Sequence, residues 1–261
     1  MAKIHLILKK EDIDSQKIKE NGKIAVVFDV LLATSTITAG LNHGATEVIP
    51  VLDGKHAIKK AEGRHPESYI LVGEYEGKTI DGFLDPTPLK LQESIQGKTM
   101  ILSTTNGTVA INKCSGAKKV YICSLLNGHA VASAIGHHHK SETVIVVCSG
   151  SSGEFCMEDF FGAGYFIDSL LNVSAEDWEL TDSALAALYF YRNSSDKGEE
   201  ILFASRVGRM LKKYGFEDEI EYVARRGIIQ IVPYLTNDLS IARDESSEYA
   251  PNKTKTHAVN E

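Results

Sequence analysis

Short apolar runs bounded by Gly, Asn, Ser and Thr recur along the chain at residues 4–8, 24–28, 48–52, 69–72, 99–102, 118–123 and 143–148. Runs of this length without alternation read as strands buried on both faces, as in a parallel sheet with helices on each side. Segments of helical pattern lie between them. The first runs from the hydroxyls Thr34, Ser35 and Thr36, as N-caps, to about Asn42 and is closed by Gly44. Others cover 54–63, 88–95, 108–114 (ended by Gly116), 127–139 and 155–171. The C-terminal part changes character, with helices expected over 181–191, 199–214 and 217–225 and a closing strand over 228–234. The expected fold class is α/β with a largely parallel sheet.

One layout occurs twice. Residues 26–51 and 100–123 each read as strand, Thr/Ser-rich loop, short helix, Gly-Ala and strand, so Ala33-Thr34-Ser35-Thr36 answers to Ser103-Thr104-Thr105-Asn106. Either an internal duplication or the ordinary grammar of βαβ units accounts for it. In open α/β sheets, ligands bind beyond the carboxyl ends of the strands. If the strands are all parallel, Asp29, Glu74, Ser103 and Ser149 share one rim.

That rim concentrates the candidate chemistry. Asp29 ends the run 24–28, and a carboxylate there needs a cation or hydrogen-bond donors to be buried. Glu74 is expected just past the strand 69–72. Two loops, Ser103-Thr104-Thr105-Asn106-Gly107-Thr108 and Ser149-Gly150-Ser151-Ser152-Gly153, offer hydroxyls and backbone N–H groups ahead of helices, which suits a phosphate or sulfonate. Glu158 is expected to serve the dipole of its helix, and Asp159 to face the rim on a different side. Asp29, Glu74 and Asp159 together offer oxygens to a hard cation, Mg²⁺, which takes few carboxylates and completes its shell with water and phosphate.

Other chemistries lack their residues. There is no Walker spacing, no C-x-x-C and no H-x-x-x-H, and His137-His138-His139 cannot share one face of a helix, so they read as a solvated helix end. Cys148 lacks the arginine of a cysteinyl-phosphate loop, Glu154 standing there, and Asp29 lacks the second acid of an aspartyl-phosphate pair, Leu31 standing there. A net charge of -7 over 261 residues argues against nucleic acid or an anionic membrane as partner and leaves room for an anionic small substrate, provided local cations or a metal hold it. No apolar run reaches the roughly 18 residues of a membrane span. The four cysteines show no paired spacing and residues 1–10 no signal-peptide layout, so a cytoplasmic protein with free thiols is expected. The length suits a single domain over 1–244, in one body or two lobes, followed by a polar, loose tail over 245–261.

The motifs together resemble the 2-phosphosulfolactate phosphatases, the Mg²⁺-dependent phosphatases of the coenzyme M and sulfolactate route. Matching pieces are Asp29-Val30-Leu31-Leu32-Ala33-Thr34-Ser35-Thr36, Gly73-Glu74, Gly82-Phe83, the loop Ser103 to Thr108, the stretch from Cys148-Ser149-Gly150 through Gly153 to Glu158-Asp159, and Val232-Pro233. They cover most of 24–165 in the family's order. The resemblance implies a three-layer α/β/α fold with a mixed sheet, Mg²⁺, and hydrolysis of 2-phosphosulfolactate to sulfolactate and phosphate, and it is compatible with a homodimer. It implies that Asp29 serves the metal or the attacking water, that Glu74 is a second acid, and that the two hydroxyl loops, with Thr34, Ser35 and Thr36, hold the substrate. Three positions depart from the pattern: Leu32 and Tyr75 stand where arginines are usual, and Pro86-Thr87-Pro88 stands for Asn-Ser-Pro. Lost arginines remove bidentate partners for anions. Arg206, Arg209 or Arg225 could replace them. Otherwise the substrate is a less anionic phosphate ester, or the chain is a non-catalytic binder of anionic metabolites.

Overall fold

The computed structural model describes residues 2–244; the tail expected over 245–261 lies outside them. The chain begins β1 (Ala2–Ile7), α1 (Ser15–Lys19), β2 (Ile24–Phe28), α2 (Ala33–Asn42), β3 (Glu47–Val51), α3 (Gly54–Ala61), β4 (Tyr69–Tyr75) and β5 (Lys78–Thr79). It continues α4 (Pro88–Leu91), β6 (Thr99–Ser103), α5 (Gly107–Lys113), β7 (Lys119–Cys123), α6 (Gly128–His138), β8 (Val144–Cys148), α7 (Met157–Val173) and β9 (Trp178–Leu180). It closes with α8 (Asp182–Asn193), α9 (Gly198–Ala204), α10 (Arg206–Lys213), α11 (Glu217–Val223), β10 (Pro233–Leu235) and β11 (Ile241–Arg243).

The strands form one sheet in the order β5-β4-β6-β3-β11-β10-β7-β2-β8-β1-β9. Within it, β4, β6 and β3 form one parallel block, and β7, β2, β8, β1 and β9 form another. The β10–β11 hairpin joins them, antiparallel to β7 on one side and to β3 on the other. Three antiparallel steps reverse direction, so the two blocks run oppositely. This corrects the expectation of a single rim: Asp29 and Ser149 end strands of one block, while Ser103 and Glu74 belong to the other. Two helices carry the chain between the blocks, α2 from β2 to β3 and α5 from β6 to β7, which gives the repeated layout a physical counterpart on either side of the hairpin.

Strand alternation sorts the core into layers. Ala25 and Val27 of β2, Val120 and Ile122 of β7, Val48 of β3 and Leu102 of β6 pack with Ile37 and Leu41 of α2 and Ala110 and Ile111 of α5. The opposite face of the second block, including Ile24, Val26 and Phe28, packs with α6, α7 and α8, and α3 covers the opposite face of the first. The result is three layers, α/β/α, around a mixed, mostly parallel sheet. Helix α2 ends as expected: Gly44 at φ +94° lets its N–H reach Leu41 O (3.2 Å) and the N–H of Ala45 reach Gly40 O (2.9 Å).

Several expected elements differ. Residues 199–214 form two helices, because Ser205 caps a new one, its hydroxyl accepting from Gly208 N at 3.0 Å. The closing strand begins only at Pro233, and the short strands β9 and β11 carry too little pattern in three residues each to announce themselves. His139 is buried rather than solvated, its Nε2 lying 2.9 Å from the Tyr121 hydroxyl. All four cysteines are free and buried. No helix among the described residues is long and apolar enough to cross a membrane.

Candidate active site

At about 4.8 Å per strand, a flat sheet would hold the ends of β2 and β6, five positions apart in the order, about 24 Å from each other. They meet instead. A Cβ placed on Gly107, at the start of α5, would lie 2.6 Å from Asp29 Oδ2 and would collide with the Ala33 methyl at the start of α2. The sheet therefore does not lie flat, and both crossover helices start side by side. Only a residue without a side chain permits this approach, which gives Gly107 its role.

Asp29 occupies the meeting point. Its carboxylate lies against the start of both helices, where the backbone N–H groups of Ala33 and Gly107 favour its charged form. Burial, and then the neighbouring carboxylates of Glu74 and Glu158, push its pKa up to about 7, against those two donors. A carboxyl group poised near neutrality can hold or release a proton during a reaction. Its backbone is fixed by a ring: Asp29 N donates to Thr34 Oγ1 (3.1 Å), which donates to Asp29 O (2.9 Å).

The hydroxyls around it serve the frame. Thr34, Ser35 and Thr36 are fully buried within the first turn of α2, not at its cap position, which Leu32 holds. Ser35 donates to Val30 O (2.8 Å) and Thr36 to Pro86 O (2.6 Å). These three residues lie behind the cavity wall.

In front of Asp29 opens a cavity of about 450 Å³. Thr104, Thr105, Asn106 and Ser151 line it, as do Asp29 and Glu74. Glu74 lies within β4 rather than past it, paired with Thr79 of β5. Its carboxylate accepts from Thr105 N (2.7 Å), Thr105 Oγ1 (3.0 Å) and Gly77 N (2.7 Å), which ties the acid to the hydroxyl loop. Asn106 accepts from Lys10 Nζ at 2.8 Å. Ser103 and Ser149 are buried at strand ends, and Gly150 and Gly153 shape the second loop at φ +65° and +76°. None of these four lines the cavity.

Asp159 is a clamp. It is buried on α7, and its Oδ1 accepts from Val30 N (2.8 Å) while Oδ2 accepts from Gly150 N (3.1 Å), so it joins the loop after β2 to the loop after β8. Burial, with Asp29 and Glu158 next, holds its pKa well above the ordinary value. Glu158 points inward as well, contrary to the expectation that at most one of the two would. The start of α7 is enclosed on several sides, so consecutive residues are both buried. Burial raises the pKa of Glu158, opposed by the Ser205 hydroxyl, the Cys156 thiol and Arg206, and its Oε2 has no hydrogen-bond partner. Among the described residues, no three His, Cys, Asp or Glu side chains are placed to hold one ion together. The expected set of Asp29, Glu74 and Asp159 thus leaves Asp29 and Glu74 at the cavity and Asp159 behind it.

The rest of the wall carries no motif. Glu76 and Asp85 add acids, and Leu31, Leu32, Val207, Met210, Leu211 and Phe216 add apolar surface. Arg206 is the one cationic side chain among the described residues that line it, while Arg209 and Arg225 do not. Tyr75 is 65% exposed and outside the cavity.

A family model described as 2-phosphosulpholactate phosphatase matches residues 7–238. A probable 2-phosphosulfolactate phosphatase of Clostridium perfringens (strain SM101) is 42% identical over 234 residues, covering 88% of this chain and 92% of that one. Similar proteins with the same name occur in Clostridium acetobutylicum, 38% identical over 90% of this chain and 98% of that one, and in Caldicellulosiruptor saccharolyticus, 38% identical over 80% and 87%.

Proposed function

The chain belongs to the 2-phosphosulfolactate phosphatase family, and on that premise we propose that it hydrolyses 2-phosphosulfolactate to sulfolactate and phosphate in a Mg²⁺-dependent reaction, in the cytoplasm. The observation that carries this reading is the buried Asp29 carboxylate in the wall of a cavity also lined by hydroxyls and amides.

The donor set fits Mg²⁺ in its usual sparse form, with Asp29 and Glu74 as the two carboxylates and water and phosphate oxygens for the rest. Four acids line the cavity (Asp29, Glu74, Glu76 and Asp85) against one arginine, so an anionic substrate meets repulsion that a divalent cation would relieve. When bound, such an ion neutralises phosphate charge and makes water a better nucleophile. The chain's own residues do the remaining work. Thr104, Thr105 and Asn106 supply hydroxyl and amide groups that orient the phosphoryl oxygens, and Asp29 orients the attacking water. Glu74, held by Thr105 and Gly77, keeps that loop in place while facing the cavity.

A second reading, hydrolysis of a less anionic small phosphate ester, draws on Leu32: it lines the cavity with an apolar side chain where the family pattern has arginine. Phosphate release from 2-phospho-3-sulfolactate, with Mg²⁺ and with chelator, beside phospholactate and phosphoglycerate, separates the readings. Selective, Mg²⁺-dependent release from phosphosulfolactate is expected. Release only from the other esters would favour the second reading. No release from a folded protein that still binds these esters would mean a non-catalytic binder.

A further inference from the structure

Part of the cavity wall is built by the C-terminal helices, and its positive charge sits at one point. The chain breaks between α9 and α10 at Ser205, which is buried and caps α10. The break depends on close packing: a Cβ on Gly208 would collide with Leu202 O, and the Ser205 hydroxyl donates to the same carbonyl at 2.8 Å. Arg206 is the first residue past that break, while Val207, Met210 and Leu211 of the same helix supply apolar wall. The position of Arg206 is thus set by the fold rather than by a free loop.

Arg206 is also unpaired in the electrostatic sense. It shares the cavity wall with four carboxylates, yet among the described residues it forms no ion pair, whereas Arg64 and Arg192 pair with Glu47 and Asp168. One N–H of its five donors goes to the Ser151 carbonyl, on the loop after β8. That bond ties the guanidinium to the hydroxyl loop without neutralising it. Nearby, the buried Glu158 feels its charge and keeps one oxygen without a partner.

We propose that Arg206 binds the anionic group of the substrate that is not transferred, and so sets specificity for a phosphate ester carrying a second acid. The inference rests on the phosphatase reading of the same cavity. The transferred phosphate belongs near Asp29 and the loop Thr104 to Asn106, on the sheet side. Arg206 is carried by α10, whose other lining residues are all apolar. A sulfonate or carboxylate reaching that helix finds one cation, in the fork geometry that planar or tripodal oxyanions accept. Leu32 and Met210 offer nothing polar to a further anion, so discrimination falls on this one residue.

Arg206→Ala and Arg206→Lys test it by steady-state kinetics on 2-phospho-3-sulfolactate. The expected result is a KM at least tenfold higher for the alanine variant with a much smaller fall in kcat, and partial recovery of KM in the lysine variant. Calorimetric binding of 3-sulfolactate, which lacks the phosphate, is measured on the same proteins. It is expected to weaken at least tenfold in Arg206→Ala. If the wild type hydrolyses no phosphosulfolactate but sulfolactate binding still depends on Arg206, the phosphatase reading fails and the role of Arg206 stands. A KM unchanged in Arg206→Ala, a loss confined to kcat, or sulfolactate binding that is absent or equal in wild type and variant would each overturn it.

Discussion

The two crossovers, β2–α2–β3 and β6–α5–β7, share a frame and differ at one residue that matters. In both, a threonine early in the helix closes a ring on the backbone of the strand end, so the counterpart of Thr34 is Thr108 and not Thr104, with which the sequence layout pairs it. Thr34 does so on Asp29, at 3.1 and 2.9 Å, and Thr108 on Thr104, at 3.2 and 2.9 Å. The strand-end residue is an acid in one and a hydroxyl in the other. Thr104 turns its hydroxyl back to its own helix, accepting from Thr108 N at 3.2 Å, whereas the Asp29 carboxylate lies against Gly107 of the other crossover. Two acids at these ends would set like charges against each other in a buried place. With one acid and one threonine, a single carboxylate sits between both helix starts. The difference shows how a repeated unit acquires a one-sided site with little change to its frame.

Asp29→Asn should have the largest effect. Losing the anionic oxygen at the junction should lower kcat/KM for phosphate release by about 10²–10⁴-fold. The fold should persist, and the sign of the stability change is fixed by linkage. A carboxyl raised to about 7 from its ordinary 3.8 binds protons more tightly folded than unfolded, so its contribution to stability falls as pH rises between those values. In metal-free buffer, melting curves should therefore show Asp29→Asn gaining on wild type as pH rises from 4 to 8. Wild-type turnover in the variant would show that the acid of this crossover is not the functional one.

Gly107→Ala comes next, because it forces the two helix starts apart. A methyl here meets Ala33 and Asp29, and overpacking of this kind costs about 1–3 kcal/mol. Chemical denaturation should register that loss and the phosphate-release assay a more than tenfold fall. Unchanged stability would mean that the starts of α2 and α5 are not in contact.

The smallest effect is also the sharpest comparison. Thr34→Val and Thr108→Val each remove one buried ring and should each cost about 1–3 kcal/mol. Activity should separate them, falling further for Thr34→Val because its ring holds the residue that carries the carboxylate. Equal losses of activity would show that the two strand ends contribute alike.

Much of this is legible in the amino-acid sequence. The run 24–28 coincides with β2 at both bounds, since five consecutive apolar residues can be buried on both faces only inside a parallel block. Asp29, Glu74 and the loop Thr104 to Asn106 stand at the cavity, as their positions at strand ends suggest. Glu158 departs from expectation because a helical wheel assumes one buried side, whereas α7 packs against α6, α8 and α9 at once. Arg206 is, in the sequence, one of three interchangeable cations, since its place depends on a helix break that Ser205 and Gly208 make by packing.

What the sequence determined by itself is local: which segments are strands, where helices start and stop, and that one unit occurs twice. Those features follow from burial pattern, capping and backbone preference, all of which act within a few residues. The tertiary structure alone decided that the blocks run in opposite directions, that a hairpin from the far end of the chain joins them, and that α2 and α5 start side by side. Strand pairing is a choice among distant partners, and a residue's spacing fixes its side only relative to its own element. For that reason the carboxylate could be read from the chain, while the second helix that starts beside it, and the one arginine that shares its cavity, could not.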